Sequence, residues 1–530
     1  MAETFDAVVI GAGHNGLVAA NLLADAGWQV LVLEATDRAG GAVRSQRDSP
    51  APGYTSDVFS AFYPLGAASP VLRGLHLEDF GLEWSHAPLV LAHAFDDGRA
   101  ALLARDVERT AASLDEFSPG DGETWRRWTR MWAELENDAL RLLFRPFPPI
   151  RPGMSLVRRL GLRQGLRAAR FAVLPIRSLV REEKLGAGAA ALLAGNALHT
   201  DLTPESAASA VYGVLLCQLG QHHGFPVPRG GADRLVAALE ARLASRGGEI
   251  RCLSPVRRVL VTEGNATGVE LADGKTVRAS RAVLADVPAP ILFERLLAPD
   301  LLPARLRSDL DRFEWGDATV KVDWALSGKI PWTNPDVGDA GTVHLGVDLD
   351  GLTRYASALA TRAVPQHPFV VLGQMTTSDP SRSPAGTESA WGYSHVPWHR
   401  SWTSADVEPV ARRMEEAVER IAPGFRDLVV GRVVRGPHDL EDIDPALVGG
   451  SINGGTAAVH QQLVFRPTPG LGRADTFVPG LFLAGSSAHP GGGVHGAAGA
   501  NAAKAALRRS RVGRPIYDGT VTRLQRHLSS

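Results

Sequence analysis

The feature that most constrains this chain is a glycine-rich turn between an apolar strand and a helix. The run Gly11-Ala12-Gly13-His14-Asn15-Gly16 follows the β-branched segment Phe5–Ile10 and precedes a helix predicted to reach about Ala26. The glycines permit a tight turn, close approach of a pyrophosphate to the backbone, and close packing of helix on strand. A second strand, Gln29–Leu33, leads to Glu34, whose carboxylate can accept hydrogen bonds from ribose hydroxyls. The spacing therefore predicts a dinucleotide-binding βαβ unit.

Composition limits what else the chain can be. With 530 residues it is too long for one simple core, so we expect two or three domains. A formal net charge of -1 gives no nucleic-acid footprint, and we predict no nucleic-acid partner. The two cysteines, Cys217 and Cys252, lack C-x-x-C spacing, which argues against a dithiol centre, and we predict no metal site. No stretch resembles a signal peptide or a membrane span, so a cytoplasmic location is expected.

The residues after Glu34 extend the nucleotide pattern. Glu34-Ala35-x-x-Arg38-x-Gly40-Gly41-x-x-Arg44 resembles the signature of the FAD-dependent family that includes amine oxidases and bacterial phytoene desaturases. The spelling G-A-G-H-N-G-L-V-A-A is similar to the branch that contains the pyridine nucleotide-disulfide oxidoreductase domain-containing protein 2 group. The resemblance implies FAD as the cofactor, with the Val256 backbone against the adenine. The other contacts implied at this end are Gly11, Gly13, Asn15, Gly16, Glu34, Arg38, Gly40, Gly41 and Arg44.

A second glycine-rich segment, Gly480–Ala503, begins with four apolar residues and ends in an alanine-rich helix. Residues Gly491–Gly496 match G-x-G-x-x-G literally, but no strand and acidic residue follow them at the required spacing. The segment instead resembles the family pattern that closes over the other end of the same FAD. We expect its helix to begin near Val494 and to aim a positive N-terminus at the flavin. The implied contacts are Gly485, Pro490, Gly492 and Val494.

The order of these segments predicts an α/β fold with two parts. One is a Rossmann-like FAD-binding domain with a parallel sheet and a small antiparallel layer, the latter indicated by short strands around an Asp273-Gly274 turn. The other is an inserted mixed α+β substrate domain. The FAD-binding domain is predicted to comprise residues 1–70, 226–319 and 441–530, and the substrate domain 71–225 and 320–440.

Residues 141–181 contain ten arginines and no acidic residue, interleaved with apolar side chains. One interpretation is a basic amphipathic face that contacts an anionic membrane beside an apolar passage for a lipid-like substrate. The other is a solvated arginine-rich helix over buried core helices, favoured because four prolines between positions 146 and 152 interrupt any continuous apolar face. Peripheral membrane contact is therefore one of two open predictions.

Three side chains are candidates for catalysis. Lys321 lies in the β-rich stretch ATVKVDWAL, and flavin amine oxidases carry a lysine in a similar K-V setting that holds a water at flavin N5. The alternative is a strand lysine with an exposed head. Trp391, Tyr393 and His395 alternate, so in a strand they share one face that could line a pocket. We take Lys321, Tyr393 and His395 as the candidate catalytic residues.

Together these features predict an FAD-dependent oxidoreductase. The resemblance implies dehydrogenation or desaturation of an apolar, isoprenoid or lipid-like substrate by hydride transfer to flavin N5. No second nucleotide-binding unit is evident, and the resemblance implies oxygen or a quinone, rather than NAD(P), as the electron acceptor. Three alternatives stay open: a flavin amine oxidase, a redox-neutral flavin isomerase, and a flavin-containing scaffold with little turnover.

Overall fold

The computed structural model describes residues 3–146, 149–399 and 401–529. Its strands are β1 (Glu3–Ile10), β2 (Val30–Leu33), β3 (Ser45–Arg47), β4 (Thr55–Asp57), β5 (Trp84–Ser85), β6 (Leu89–Ala94), β7 (Ala100–Leu103), β8 (Val227–Pro228), β9 (Glu249–Arg251), β10 (Val256–Thr262), β11 (Asn265–Leu271), β12 (Thr276–Ala285), β13 (Ala318–Leu326), β14 (Ala340–Leu345), β15 (Val370–Gln374), β16 (Glu388–Val396), β17 (Val429–Arg435) and β18 (Leu481–Leu483). Its helices are α1 (His14–Asp25), α2 (Pro64–Ala68), α3 (Pro70–Arg73), α4 (Val107–Asp115), α5 (Asp121–Phe144), α6 (Ile150–Phe171), α7 (Ile176–Glu183), α8 (Ala187–Leu198), α9 (Ser209–His223), α10 (Asp233–Ser245), α11 (Ala304–Asp311), α12 (Leu349–Ala360), α13 (Met375–Ser378), α14 (Ser404–Ile421), α15 (Pro437–Ile443), α16 (Ala497–Val512), α17 (Arg514–Tyr517) and α18 (Arg523–Ser529).

The first sheet follows the order β10-β11-β12-β1-β2-β9, with β18 beside β12. Strands β18, β12, β1, β2 and β9 are parallel, whereas β10, β11 and β12 pair in antiparallel fashion. The predicted antiparallel layer is therefore continuous with the parallel sheet through β12. Helices α1, α10 and α16 pack on this sheet through one apolar cluster, as expected for a parallel sheet covered by helices. The predicted α/β class is confirmed.

The second sheet follows the order β17-β13-β16-β15-β14-β6-β7. All nine residues of β13 are buried. One face of β13 packs against α14, and the other carries Lys321 and Asp323, which contact Asp57 and Arg435. Helices α8, α9 and α12 cover the sheet elsewhere, at β6, β7, β15 and β16. Strands of the first sheet lie within the segments predicted for the FAD-binding domain, and β6, β7 and β14–β17 lie within the predicted substrate domain. Strand β13 begins at Ala318, just before the predicted boundary. The domain division itself stays a prediction.

Segment 141–181 contains α6, which changes direction at Gly161, where φ is 71°. Residues 147 and 148 of this predicted segment lie outside the described part of the chain. In the described part of segment 141–181, Leu166 and Val173 are 65% and 55% exposed. No helix in the described ranges has the length and apolar character needed to cross a bilayer.

Helices α1 and α16 touch through their backbones. A side chain placed at Gly499 would overlap the carbonyl group of Asn15, so the two helices can lie this close only with glycine at that position. The contact joins the helix that follows the first glycine run to the helix that follows the second. It therefore brings two distant parts of the sequence to one place.

This contact predicts the effect of adding a side chain. We expect Gly499→Val to lower the free energy of unfolding by about 3 kcal/mol, because overpacking forces the backbones apart. Thermal unfolding of both proteins followed by circular dichroism measures the change. The control is Gly165→Val in α6, where an added Cβ meets nothing within 4 Å. Equal melting temperatures for Gly499→Val and wild type would contradict the assigned contact.

Candidate active site

The first glycine run lies at the carboxyl end of β1, where a parallel sheet usually binds its ligand. Gly11 adopts a φ of 90°, and the backbone N–H of Ala12 donates to Glu34 Oε2 at 2.8 Å. The backbone N–H of Gly16 donates to Asp286 Oδ2 at 2.7 Å. A Cβ at Gly13 would lie 2.6 Å from the same carboxylate oxygen. The loop is thus packed tightly against the end of β12, which carries Asp286.

Both glycine runs reach one cavity of about 340 Å³. Its wall begins at the β1–α1 loop and continues past the second glycine run to β13, β14, β15 and β16 of the second sheet. The predicted residues in this wall are Gly11, Gly13, Asn15, Glu34, Gly41, Arg44, Lys321, Tyr393, Gly492 and Val494.

The other predicted site residues lie outside the wall: Gly16, Arg38, Gly40, Val256, Gly485, Pro490 and His395. Gly40 bonds through its N–H to Ala12 O at 2.9 Å, so it supports the loop from behind. Arg38 is exposed, and its guanidinium lies 3.4 Å from Ser45 O. Val256 begins β10 at the far edge of the first sheet. These residues therefore lie behind or beside the cavity wall rather than in it.

The second glycine run lies against a neighbouring loop. A Cβ at Gly492 would lie 2.8 Å from Asn453 Oδ1 and 3.0 Å from the Asn453 backbone. Glycine is thus required here by a protein contact. Helix α16 begins at Ala497, after Gly496 with a φ of 70°, which is three residues beyond the predicted start at Val494.

Two carboxyl groups that the sequence analysis missed face the nucleotide end of the cavity. Burial raises the pKa of Asp286 to about 7 and that of Asp444 to about 6. Charge repulsion from Glu34 raises both pKa values further, and Asp444 also raises that of Asp286. Asp286 directly follows β12, the parallel neighbour of β1. The rule that ligands bind at carboxyl ends of parallel strands could have identified it.

The far end of the cavity is apolar and aromatic. Its wall there contains Phe62, Leu216, Phe225, Val371 and Trp391. The rings of Trp391 and Tyr393 stack with centroids 5.9 Å apart and planes 14° apart, as the alternation along β16 predicts for side chains on one face. This end can take an apolar ligand that extends away from the glycine loops.

Lys321 is buried in the wall, with 3% of its surface exposed. Its Nζ donates to Asp57 O at 2.9 Å, is paired with Asp323, and lies 5.7 Å from the centre of the Trp391 ring. Burial lowers the pKa of this amine, while Asp323 opposes the shift. The alternative of an exposed strand lysine does not describe this side chain.

A buried ionic cluster lies behind Lys321. Asp323 also pairs with Arg435, so one carboxylate serves two cations. Arg382, fully buried, makes 2.9 Å ion pairs with Asp57 and Asp379. Three cations and three carboxylates thus compensate each other, which is the condition for burying charge at this depth.

The nucleotide end fits a dinucleotide. Close backbone packing at the two glycine runs leaves main-chain groups, rather than side chains, along this part of the wall. Arg44 Nε and Asn15 Oδ1 are buried without a hydrogen-bond partner in the described ranges. A phosphate oxygen could accept a hydrogen bond from Arg44 Nε. Without such a partner, a buried polar group lowers the free energy of unfolding.

The two carboxyl groups predict how dinucleotide binding depends on pH. An anionic ligand raises the pKa values of Asp286 and Asp444 further, so it binds with proton uptake. Affinity is therefore full below pH 6 and falls as the pH rises through 7, by up to about tenfold per pH unit for each group.

Titration of the apoprotein with FAD at a series of pH values, followed by flavin fluorescence, measures this dependence. Asp286→Asn retains an oxygen acceptor for Gly16 N–H and should flatten the profile near pH 7. Asp444→Asn should flatten it at lower pH. A wild-type affinity that is constant across this range would contradict proton uptake.

Comparison with known proteins identifies the family. Residues 16–507 match the model of the family described as flavin containing amine oxidoreductase. The chain is 28% identical to pyridine nucleotide-disulfide oxidoreductase domain-containing protein 2 of Mus musculus, over 95% of this chain and 93% of that protein. It is 26% identical to a neurosporene-forming phytoene desaturase of Rhodobacter capsulatus, over 92% of this chain and 91% of that protein.

Solved structures agree on the fold. A putrescine oxidase aligns with a TM-score of 0.60 at 17% identity, covering 96% of this chain and 99% of that one. An oxidoreductase from Methanosarcina mazei also gives 0.60, at 16% identity, covering 95% and 99%. The predicted family resemblance, fold class and FAD cofactor are confirmed. The chain belongs to the flavin containing amine oxidoreductase family and is an FAD-dependent oxidoreductase.

Proposed function

We propose that this oxidoreductase dehydrogenates an apolar, isoprenoid or lipid-like substrate. The observation that carries the proposal is the group of apolar and aromatic residues in the cavity wall beyond the glycine loops, which lies beside the polar residues Thr319, Lys321 and Thr342. Two of the relatives are named as desaturases: a neurosporene-forming phytoene desaturase and a hydroxyneurosporene desaturase. An apolar cavity stabilises such a substrate by about 25 cal/mol for each Å² of apolar surface removed from water.

The proposed cofactor residues form two groups. At the nucleotide end these are Gly11, Gly13, Asn15, Gly16, Glu34, Arg38, Gly40, Gly41, Arg44 and Val256. At the flavin end these are Gly485, Pro490, Gly492 and Val494. The residues in the cavity wall support this assignment most directly, and those behind the wall would hold the loops in place. Bound flavin supplies the hydride acceptor, with N5 as the receiving atom.

The proposed roles of the three candidate catalytic residues differ. Tyr393, stacked on Trp391, would hold substrate against the flavin side of the cavity. Lys321 would supply a fixed polar group at the wall, because Asp57 and Asp323 anchor its amine. His395 lies behind Tyr393, with ring centroids 5.3 Å apart, so it would act through its neighbours rather than on substrate.

Oxygen or a quinone is the proposed electron acceptor. Peripheral membrane contact through residues 141–181 stays a prediction.

The amine oxidase alternative is favoured by one observation, the position of Lys321 in the wall beside Trp391. The isomerase and the scaffold remain as outcomes of the test below.

An anaerobic substrate screen tests the proposal. The FAD-loaded protein is mixed with polyisoprenoids, acyl lipids and amines, and the flavin absorbance is followed. We expect bleaching by one of the apolar classes. Bleaching by amines alone would show that the protein oxidises amines and does not dehydrogenate an apolar substrate. Product isomers without bleaching would indicate an isomerase. No spectral change and no product with any class would favour the scaffold.

A pair of matched variants tests the apolar wall. Val371 lines the cavity, whereas Val370 precedes it in β15 and faces the α14 side of the sheet. Val371→Thr keeps the shape but adds a hydroxyl that substrate must desolvate, at a cost of roughly 1–3 kcal/mol. We expect KM for the apolar substrate to rise about tenfold in Val371→Thr and to stay unchanged in Val370→Thr. Equal KM values in the two variants would place substrate elsewhere.

A further inference from the structure

The proposed dehydrogenation leaves a proton in the cavity. One hydrogen leaves its carbon with the bonding electron pair, which goes to the flavin. The neighbouring hydrogen leaves as a proton, and its bonding pair becomes the new double bond. Apolar side chains such as Val371 and Leu216 cannot accept that proton, so a titratable group near the wall must take it.

A buried acid–base pair lies behind the cavity wall. Asn453, a wall residue, donates through Nδ2 to Asp201 Oδ2 at 3.1 Å. Asp201 Oδ1 lies 3.2 Å from His395 Nε2, at ion-pair distance but without the alignment of a hydrogen bond. The two side chains are 5% and 2% exposed. Asp201 also adopts a φ of 61°, an unusual backbone conformation for a residue other than glycine that often marks functional sites.

A second carboxyl group connects this pair to a second cavity. Asp201 packs against Gly316, where any side chain would overlap its carboxylate, and Asp317 is the next residue along the chain. Asp317 lines a cavity of about 780 Å³ whose wall also contains Glu294 and Arg362, both exposed to solvent. His395 pairs with Thr319 of β13, two residues after Asp317, so Asp201, His395 and Asp317 lie between the substrate cavity and a solvent-exposed one.

Burial and neighbouring charges shift the pKa values of all three groups in this cluster. Burial raises the pKa values of Asp201 and Asp317, and the charge of Asp201 raises that of Asp317 further. Burial lowers the pKa of His395, and Asp317 opposes that shift. With pKa values raised to about 7, Asp201 and Asp317 can each take up and release a proton near neutral pH.

The surrounding titratable and charged groups come from four segments. His199 at the end of α8 is close enough to His395 for charge repulsion, and burial lowers its pKa to about 4. The pKa of Tyr393 in β16 and that of Tyr355 in α12 are both raised by burial, with Asp201 and Asp317 contributing. Arg466 donates to Asn453 O at 2.9 Å. None of these groups forms an ion pair with Asp201 or Asp317 within the described residues.

We propose that Asp201, His395 and Asp317 form a proton relay between the substrate cavity and the second cavity. The inference rests on the proposed dehydrogenation, which supplies the proton. In the forward direction a water beside Asn453 would take the proton from substrate and pass it to Asp201, from which it goes by way of His395 to Asp317 and leaves to solvent. The three groups are positioning residues in this scheme, since none of them lines the substrate cavity.

Infrared spectroscopy of the FAD-loaded protein tests the relay without any substrate. A pH titration in H2O and D2O reports carboxyl groups that hold a proton through their C=O stretching band. We expect a band that titrates near neutral pH in the wild type and is altered by both Asp201→Asn and Asp317→Asn. A titrating band that neither substitution changes would overturn the relay.

Kinetics supply the second readout. We expect Asp201→Asn and His395→Gln to slow flavin bleaching by the apolar substrate about 100-fold, with unchanged KM and a displaced pH profile. The control is Glu388→Gln, a buried carboxyl with a pKa raised to about 7 that bonds to Thr376 and Thr377 instead. It should leave the rate and its pH profile unchanged. Rates and pH profiles in Asp201→Asn and His395→Gln equal to those of the wild type would overturn the relay.

The two readouts separate failure of the relay from failure of the proposed function. If no substrate bleaches the wild-type flavin, dehydrogenation is wrong, and the infrared titration alone decides whether the three groups share a proton. If substrate bleaches the wild type and the titrating band is unaffected by either asparagine, dehydrogenation stands and the relay is wrong. FAD content and circular dichroism of each variant confirm that it is folded.

Discussion

The backbone contact between α1 and α16 is the constraint on which the site depends. Gly499 lies against Asn15 with no room for a Cβ, and Asn15 is itself part of the first glycine run. The contact sets the distance between the two loops that the helices follow. Strand β18 adds to it, because its pairing with β12 fixes the start of the second glycine segment beside the first sheet. A cavity with glycine loops on two sides follows from these two packing events.

The buried ionic cluster around Lys321 provides a second constraint. Arg382 connects Asp57, which ends β4, to Asp379, and Asp379 in turn accepts from Gly230 N at 2.7 Å. Lys321 and Arg435 hold Asp323 inside the second sheet. Removing one member would strand a buried charge, at a cost of about 3–5 kcal/mol. The cluster therefore fixes the second sheet against the segment that leads away from the nucleotide loop, and places one of its cations, Lys321, beside Trp391 in the cavity wall.

Local sequence patterns were sufficient for the βαβ unit. The strand, the glycine run, the helix and Glu34 lie within 34 residues, and each is recognised by composition and spacing alone. The structure places these elements within one or two residues of the predicted bounds. The shared face of Trp391 and Tyr393, whose rings stack, could also be predicted from the sequence, because alternation in a strand determines which side chains lie on the same face.

The parts that sequence reasoning missed depend on contacts between distant residues. Gly16 and Asp286 are separated by 270 positions, and Asp201 and Asn453 by 252. A lone aspartate has no local signature that distinguishes a buried carboxyl from a solvated one. The predicted contacts Arg38 and Val256 lie outside the cavity wall, because a family pattern identifies residues by type and spacing and does not give their position relative to a cavity.

The pairing of β18 with β12 has a consequence for biosynthesis. Residues 11–16 emerge from the ribosome long before residues 491–494, and the cavity wall needs both. While the nascent chain ends before β18, the nucleotide loop can fold but has no opposite wall to enclose a flavin. Cofactor loading therefore belongs to a late stage, after the second glycine run has been translated. Until then the apolar surfaces destined for α16 remain exposed, so this is the period in which chaperones would matter most for the protein.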